Sequence, residues 1–260
     1  MDIKTRLRND FFRPSKEGDY ELILKTAQDC GYEFHTVLSF EDVLKEGLSG
    51  KKKYLILRRD IDTADFKILR KMLALEKKYG ARATYYFRWT TLNIKLMQDI
   101  EDAGGEASYH YEEIATFCYR HHVKQLAEVK GHMGEIQDLF IENCKKFRNV
   151  TGRPCLTVAS HGDYMNVRLQ YQNYELMNNR VRCESGITRE AYDPEHMAAL
   201  SCRIADQVDP DSFAERSIEA LRRGEPVLEL LTHPRQWNSP IWVNLKEEIQ
   251  RVCKQIYMSI

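Results

Sequence analysis

The stretch YLILRRD at 54–60 sets an unbroken apolar run against a charged end, and several such runs recur along the chain, separated by stretches of helical periodicity. A strand that is apolar at successive positions has both faces covered, which is the mark of a parallel sheet flanked by helices. Apolar residues recur at helical spacing from Asp19 to Gly31, where the glycine suits a helix C-cap. YEFHTVLSF reads as a strand and EDVLKEGLSGKK as a short helix and turn before the 54–60 strand. The spacing then predicts a helix over 65–79 stopped by Gly80, a strand RATYYFRW, a helix over 93–102, a break at Gly104 and Gly105, and a strand EASYHY. A helix over 122–148 and a strand CLTVAS ending at His161 follow, and the stretch up to Tyr192 carries no clear period. A strand in MAALSCRIAD, a helix over 211–223, the strand PVLELLTH and a helix over 242–258 complete the chain. This βα rhythm, with no linker-like tract or repeat, predicts one α/β domain over 1–260, a TIM-like, irregular (β/α) barrel, with an open doubly wound sheet as the other arrangement.

Composition narrows what such a domain does. With 43% apolar and 30% charged residues, a 260-residue chain can bury a large core without staples. Its 39 basic and 39 acidic side chains cancel, so beyond Lys51–Lys53 there is no electrostatic footprint for nucleic acid or an anionic membrane. Seven cysteines, odd in number and never spaced as CxxC, read as reduced, mostly buried thiols rather than a disulfide framework or zinc ribbon. MDIKTRLRNDFFRPSKEGD lacks the apolar core of about 7–15 residues of a secretory signal, and nowhere do about 18 apolar residues run together. The expectation is a cytoplasmic protein with no membrane insertion and no nucleic-acid partner.

Polar residues gather where the strands stop: Asp60 and Asp62, His110 with Glu112 and Glu113, His161, Asp206 and His233. The C-terminal strand ends of an α/β barrel form its active-site mouth, so these side chains can converge on one pocket. Asp60 or Asp62 could simply cap the helix that follows. As a pair on one side of a strand end, however, two carboxylates resist joint ionisation unless a cation compensates, and a divalent metal would leave one as ligand and one as base. His110 offers an imidazole beside a carboxylate, Glu112 if the backbone is extended and Glu113 if it turns helical. Asp62 with His110 would supply two ligands suited to zinc. His233, before Pro234 at a strand end, is either a rim residue or a general acid. Trp89 and Trp237 at strand ends could stack on a sugar face, whereas Tyr85, Tyr86 and Phe87 read as core and His121, His122 and His132 as surface.

At these residues the chain resembles the polysaccharide deacetylase family, the carbohydrate esterases with the NodB homology domain. LILRRDID, a helix and ARATYYFRW resemble the family's first motif and the strand after it, GGEASYHYEE the second motif, and LELLTHP the last. The similarity runs from Asp19 to Trp237 and is strongest between Leu55 and Glu112. Carried over, it implies Asp60 as general base, Asp62 and His110 as ligands of one divalent metal, zinc, and His233 as general acid. The family's further His, four residues after the first, is replaced here by Ile114. Glu112 is the first substitute as third ligand, then Glu113 or His161. The Arg that steadies the base in relatives has no clean match, with Arg59, Arg153 and Arg88 as candidates; RPCLTVASHGDYMN, in the place of the third motif, offers Arg153 and His161. Asp206 and the two tryptophans join the supporting residues.

The chemistry implied is hydrolysis of an N-acetyl or related N-acyl group on an amino sugar: a metal-activated water attacks the amide and an acid protonates the departing amine. Without a signal peptide, a small, nucleotide-linked or lipid-linked acylated sugar inside the cell fits better than an extracellular polymer. Two other functions compete. A catalytically inactive barrel that binds a glycan or a partner protein accounts for Ile114, and a deformylase or other small-amide hydrolase changes only the bond. Metal content separates the first of these from the enzyme, and a panel of acyl substrates the second.

Overall fold

The computed structural model describes residues 16–207, 210–237 and 241–259. The N-terminal segment 1–15, most of the stretch searched for a signal, lies outside the described residues. In chain order the elements are α1 (Glu17–Asp29), β1 (Tyr32–His35), α2 (Val37–Glu46), β2 (Lys53–Ile61), α3 (Phe66–Tyr79), β3 (Thr84–Phe87), α4 (Ile94–Glu101), β4 (Glu106–Tyr111), α5 (Glu113–His121), α6 (Leu126–Gly131), α7 (Met133–Thr151), β5 (Thr157–Ser160), α8 (Tyr164–Leu169), α9 (Asn179–Ser185), β6 (Arg189–Glu190), α10 (Pro194–Ala199), β7 (Cys202–Ala205), α11 (Phe213–Arg223), β8 (Val227–Thr232) and α12 (Ile241–Ser259). Single 3₁₀ turns cover Trp89–Thr91, Asn173–Leu176 and Pro234–Gln236.

The hydrogen-bonded strand order is β6-β5-β4-β3-β2-β8-β7, with β1 paired to β2 off this path. That is the winding order of an irregular (β/α) barrel, and the fold class is α/β. The described residues group into two compact units, one comprising those up to Ala107 with Asp193–Asn244, the other Ser108–Tyr192 with the chain from Leu245. In the first unit β2 is central. It pairs in parallel with β8 from Tyr54↔Val227 to Arg59↔Thr232, with β1 along its first half and with β3 along its second, from Arg58↔Thr84 to Ile61↔Phe87. From Tyr54 to Ile61 β2 is buried throughout, which is why its sequence shows no alternation. β7 pairs in parallel with β8. In the second unit β4 pairs with β5 and β5 with β6, again in parallel.

Local chemistry accounts for the breaks that the sequence suggested. Gly80 closes α3 in the left-handed conformation, at φ 63. At Gly105 a β-carbon would stand 2.9 Å from Ile100 Cγ2 and 3.0 Å from the Ala83 carbonyl, so only glycine lets β4 start there.

Three expectations need correction, and one stretch left without an assignment is filled in. The strand YEFHTVLSF ends at His35, where Thr36 opens α2 with a capping box through Ser39. The helix expected over 122–148 is three helices: His122 takes the left-handed conformation that ends α5, and α6 stops at His132 before α7 begins. MAALSCRIAD is the end of α10 followed by the short β7. The stretch before Tyr192, without a readable period, holds two short helices and a 3₁₀ turn, each too brief to show one. Among the described residues no helix is long and apolar enough to cross a membrane.

Candidate active site

In the first unit the site residues stand at the ends of β2, β7 and β8. Side chains two apart on a strand share a side, so Arg58 and Asp60 face one way and Arg59 the other. Arg58 donates from Nε to Asp60 Oδ1 at 2.9 Å and from Nη2 to Oδ2 at 2.8 Å. The two side chains are 0% and 4% exposed, so this bidentate fork is made out of water. The guanidinium also lies 5.5 Å over the Tyr86 ring. Arg59, the supporting residue expected beside the base, is instead part of a buried network on the opposite side: its Nη2 donates to Glu76 Oε1 at 3.0 Å and to the Tyr20 hydroxyl, and its Nη1 to Thr232. Glu76 accepts in addition from Tyr20 and Tyr85, each at 2.7 Å. Arg59 therefore ties α1 and α3 to the sheet, and Arg58 steadies Asp60. Sequence adjacency pointed to Arg59; strand alternation is the signal that selects Arg58.

Neither Asp60 nor Asp62 caps α3. That work falls to Asp65, whose side chain accepts from the Ile68 amide at 3.4 Å. Asp62 lies one residue past β2, with its Oδ2 3.8 Å from His233 Nε2 and its carbonyl accepting from Arg88 at 3.4 Å.

His233 follows β8 directly, and Asp206 follows β7. One carboxylate grips the histidine twice: Asp206 Oδ1 is 2.6 Å from His233 Nδ1, and Oδ2 accepts from the His233 amide at 2.6 Å. A carboxylate only accepts, so Nδ1 carries a proton and Nε2 is the end turned toward Asp62. Burial pushes this imidazole down, but the charge and hydrogen bond of Asp206, followed by the charges of Asp62 and Asp60, outweigh it and raise the pKa to about 9. The ring is thus an imidazolium at neutral pH. The Gln207 amide nitrogen stands 2.6 Å from Nε2, and which end of that amide faces the ring depends on the ring's protonation.

In the second unit β4 and β5 deliver the remaining residues, with His110 opposite Ala159 and Tyr111 opposite Ser160. His110 Nδ1 donates to the Ala159 carbonyl at 2.8 Å, which fixes its tautomer with the lone pair on Nε2. Its ring meets His161 edge-on at 5.2 Å and 83°. The His161 amide donates to Tyr111 at 2.8 Å, and its Nδ1 lies 3.2 Å from Glu112 Oε2. Glu112 does not continue the strand as expected: β4 ends at Tyr111, and Glu112, at φ −146 and ψ 35, occupies the N-cap position of α5. It meets His161 rather than sharing a strand face with His110. Glu113 points into the core, where its Oε1 accepts from Tyr109 at 2.7 Å and Asn143 at 2.9 Å. Ile114 is fully buried, with its amide donating to Asn173 at 2.9 Å.

One group of three or more metal-type side chains occurs among the described residues: Glu112, His161 and Asp163, each offering a ligand atom within 4.8 Å of the others. Two carboxylates and an imidazole are a donor set fit for zinc or a similar divalent ion, and the carbonyl anchor on His110 is of the kind that orients a ligating histidine. Asp163, missed in the sequence, has other duties as well. It caps α8 by accepting from Met165 at 3.0 Å, and it takes the Tyr119 hydroxyl at 2.6 Å and Lys254 at 3.2 Å. The motif HGDYMN carries its cap signature, an Asp three residues before Asn166, which hides any second role.

The other expected residues are placed as follows. Arg153 folds back on the end of α7, donating to Thr151 from its amide and its Nε, each at 3.2 Å. Trp89 is half-buried in the turn after β3. Trp237 is only 3% exposed and packs edge-on against Tyr20 at 5.3 Å and Phe213 at 5.7 Å, so it is a core residue and not a sugar platform.

No protein-family model matches the sequence, and no curated protein matches it. Solved structures do. The chain is similar to a CE4 family pseudoenzyme from Bacillus anthracis at 16% identity and TM-score 0.45, over 77% of this chain and 63% of that one. It thus spans less than two thirds of that protein's length. It is also similar to the Streptococcus pyogenes deacetylase PplD in complex with acetate, at 15% identity and TM-score 0.43 over 96% of this chain and 92% of the other. A third is IcaB from Ammonifex degensii, at 12% identity and TM-score 0.47 over 69% and 79%.

Proposed function

We propose that this chain is an amide hydrolase that removes an acetyl or related acyl group from an amino sugar, with residues 1–260 acting as one domain. The observation that carries the proposal is the grip of Asp206 on His233. An amine leaves an acylated sugar only if its nitrogen is protonated, and a buried imidazolium whose Nδ1 is held by a carboxylate has its Nε2 proton to give. Asp60 takes the part of base. Arg58 donates to both of its oxygens and holds the carboxylate in one orientation.

A divalent ion, zinc on the chemistry of its donors, would be held by Glu112 and His161 with Asp163 as third ligand. When bound, it supplies polarisation of the amide carbonyl and a lowered pKa for water in contact with it. Asp62 and His110 keep the ligand roles that the family resemblance implies as the competing set, and the metal content of single variants decides between the two. The half-buried Trp89 ring is the candidate for stacking on the sugar. The substrate class is a small, nucleotide-linked or lipid-linked acylated amino sugar in the cytoplasm.

A second reading, an inactive barrel that binds a glycan or a protein, has a specific observation in its favour: Asp60 is locked by Arg58, and Ile114 stands where the family pattern has a histidine. Release of acetate or formate from a panel of N-acylated amino sugars, by protein supplied with zinc, separates the two. Hydrolysis is expected, falling by roughly 100-fold or more in His233→Ala. No release from any member of the panel would sink the enzyme and leave the binding protein.

A further inference from the structure

The last helix wears its apolar residues on the outside. Along α12, Trp242, Leu245, Ile249, Val252 and Ile256 follow one another at steps of three, four, three and four residues, the spacing of a coiled-coil seam. All five are exposed, from 38% at Leu245 through 55% at Ile249 to 81% at Trp242. The opposite stripe of the helix is the one that packs. Asn244 and Met258, two heptads apart, are buried, and Arg168 Nη1 donates to the Met258 carbonyl at 3.1 Å. Lys254, on the same side, donates to Asp163 Oδ2 at 3.2 Å and stands 4.8 Å over the Tyr119 ring. A helix laid on a protein surface ordinarily turns its apolar stripe inward and its charges outward. Here polar contacts hold the helix down, and the apolar stripe is left in water.

We propose that this stripe is the interface of a homodimer, in which α12 packs in parallel along α12 of a second copy of the chain. Three features choose that occupant. The first is width: Lys246, Gln250 and Cys253 border the stripe, so it is a seam for one helix and not the broad face that sinks into a lipid surface. Of the helix's cations, Arg251 is turned to Glu248 at 2.8 Å and Lys254 to Asp163, so it also lacks the basic border that meets anionic headgroups. The second is composition. Ile249 and Ile256 fall at a and Leu245 at d, and β-branched a residues with leucine at d are the choice that selects two strands in parallel pairs. A two-fold axis along the pair then sets each seam residue against its own counterpart, which closes the assembly at two copies. The third is area. The five side chains leave on the order of 600 Å² in water per copy, at the lower edge of the roughly 600–1,000 Å² per partner of a specific interface. Ile241 beside Trp242, 52% exposed, adds to it. The body of each copy lies behind its own α12, so neither obstructs the seam. The pairing is independent of what the site hydrolyses.

Sedimentation of the full chain over a range of concentrations tests the dimer. A reversible dimer is expected, with the emission of the exposed Trp242 moving to shorter wavelength as copies associate. Ile249→Glu puts a charge at the centre of the seam and should raise the dissociation constant by roughly 30-fold or more, with the circular dichroism of the folded chain kept. Gln250→Glu, the same charge one residue further but off the seam, should leave association as it was. If Ile249→Glu does not fold, cross-linking decides: Leu245→Cys, with Cys183→Ser and Cys253→Ser, should join two copies through position 245 on mild oxidation. A chain that stays monomeric throughout would overturn the pairing, as would a dimer that Ile249→Glu and Gln250→Glu weaken equally or one that never cross-links at 245. A monomer that floats with phosphatidylserine-containing vesicles, and ceases to in Ile249→Glu, would give the stripe to a lipid surface instead.

Discussion

Arg58 and Asp60 show how much rides on two positions of one strand. Both are withdrawn from water, and each is the other's fork partner. Removing the cation takes from a buried carboxylate the guanidinium that forks onto both its oxygens, which costs far more than the pair contributes. Arg58→Met is therefore expected to lower stability by about 3–5 kcal/mol in urea unfolding, and Arg58→Met with Asp60→Asn to recover most of that. Equal loss in the double variant would mean that packing of the arginine stem, not its charge, is what matters. His233 permits a second prediction at this scale. Its folded pKa, about 9, lies above the ordinary 6.5, so the stabilisation, about 3 kcal/mol, is full below pH 6.5 and is lost as pH rises from there through 9. Asp206→Asn removes the first of the charges that raise it; the ring should then titrate lower, as followed by NMR of the imidazole, and this loss of stability with rising pH should flatten. An unmoved titration would detach Asp206 from the acid. The type of residue at the strand ends was legible in the sequence, because a buried strand has no other use for Asp60, Asp206 or His233. Which arginine met which carboxylate was not, since Arg59 is nearer in the chain and only the period of the strand puts it on the wrong side.

Among the elements, α5 decides most about the site. It starts one residue after β4 stops, so Glu112 turns toward His161 and Glu113 turns inward. Burial raises Glu113 from the ordinary 4.5 to about 7, against the hydrogen bonds of Tyr109 and Asn143. An acid whose folded pKa is raised destabilises the fold as pH climbs, because the unfolded chain releases its proton from 4.5 upward while the folded one holds it to about 7. Glu113→Gln is expected to remove that decline, which amounts to about 3 kcal/mol by pH 7.5, and to leave metal content unchanged. Calorimetric melting across pH 4.5–8 checks it, and a variant as pH-dependent as the parent would show that Glu113 is not the group responsible. Long helices were readable here because an apolar stripe over a dozen residues has no rival pattern: α3 and α12 fall within a residue of expectation. The division of 122–148 was not readable. His122 adopts a left-handed backbone without being glycine, and nothing in its side chain announces that.

For the whole molecule, the alternation of runs along the chain was enough to give an α/β fold with barrel winding, since parallel strands need covered faces and crossover helices and leave few other topologies. The candidate ligand set was harder to read, because it depends on loops beyond the strands, where Asp163 already had a sufficient reason to exist as a cap. The two candidate sets make opposite predictions. Glu112, His161 and Asp163 all belong to the second unit, as does His110, whereas Asp62 belongs to the first. A ligand that binds only the folded state stabilises it by about 2.7 kcal/mol at a hundred times its dissociation constant. If the ion sits on the Glu112 group, zinc should raise the melting temperature, slow amide exchange most strongly in β4 and β5, and be removable by a chelator. Glu112→Gln should weaken its affinity by a factor of about 10 or more, and His161→Ala more severely. Asp62→Ala should then retain the ion and lose only turnover, while His233→Ala should leave metal content as it was. Stoichiometric zinc lost on Asp62→Ala and kept in Glu112→Gln would assign the ligands instead as the family resemblance has them, and would leave Glu112 and Asp163 as an orienting carboxylate and a cap.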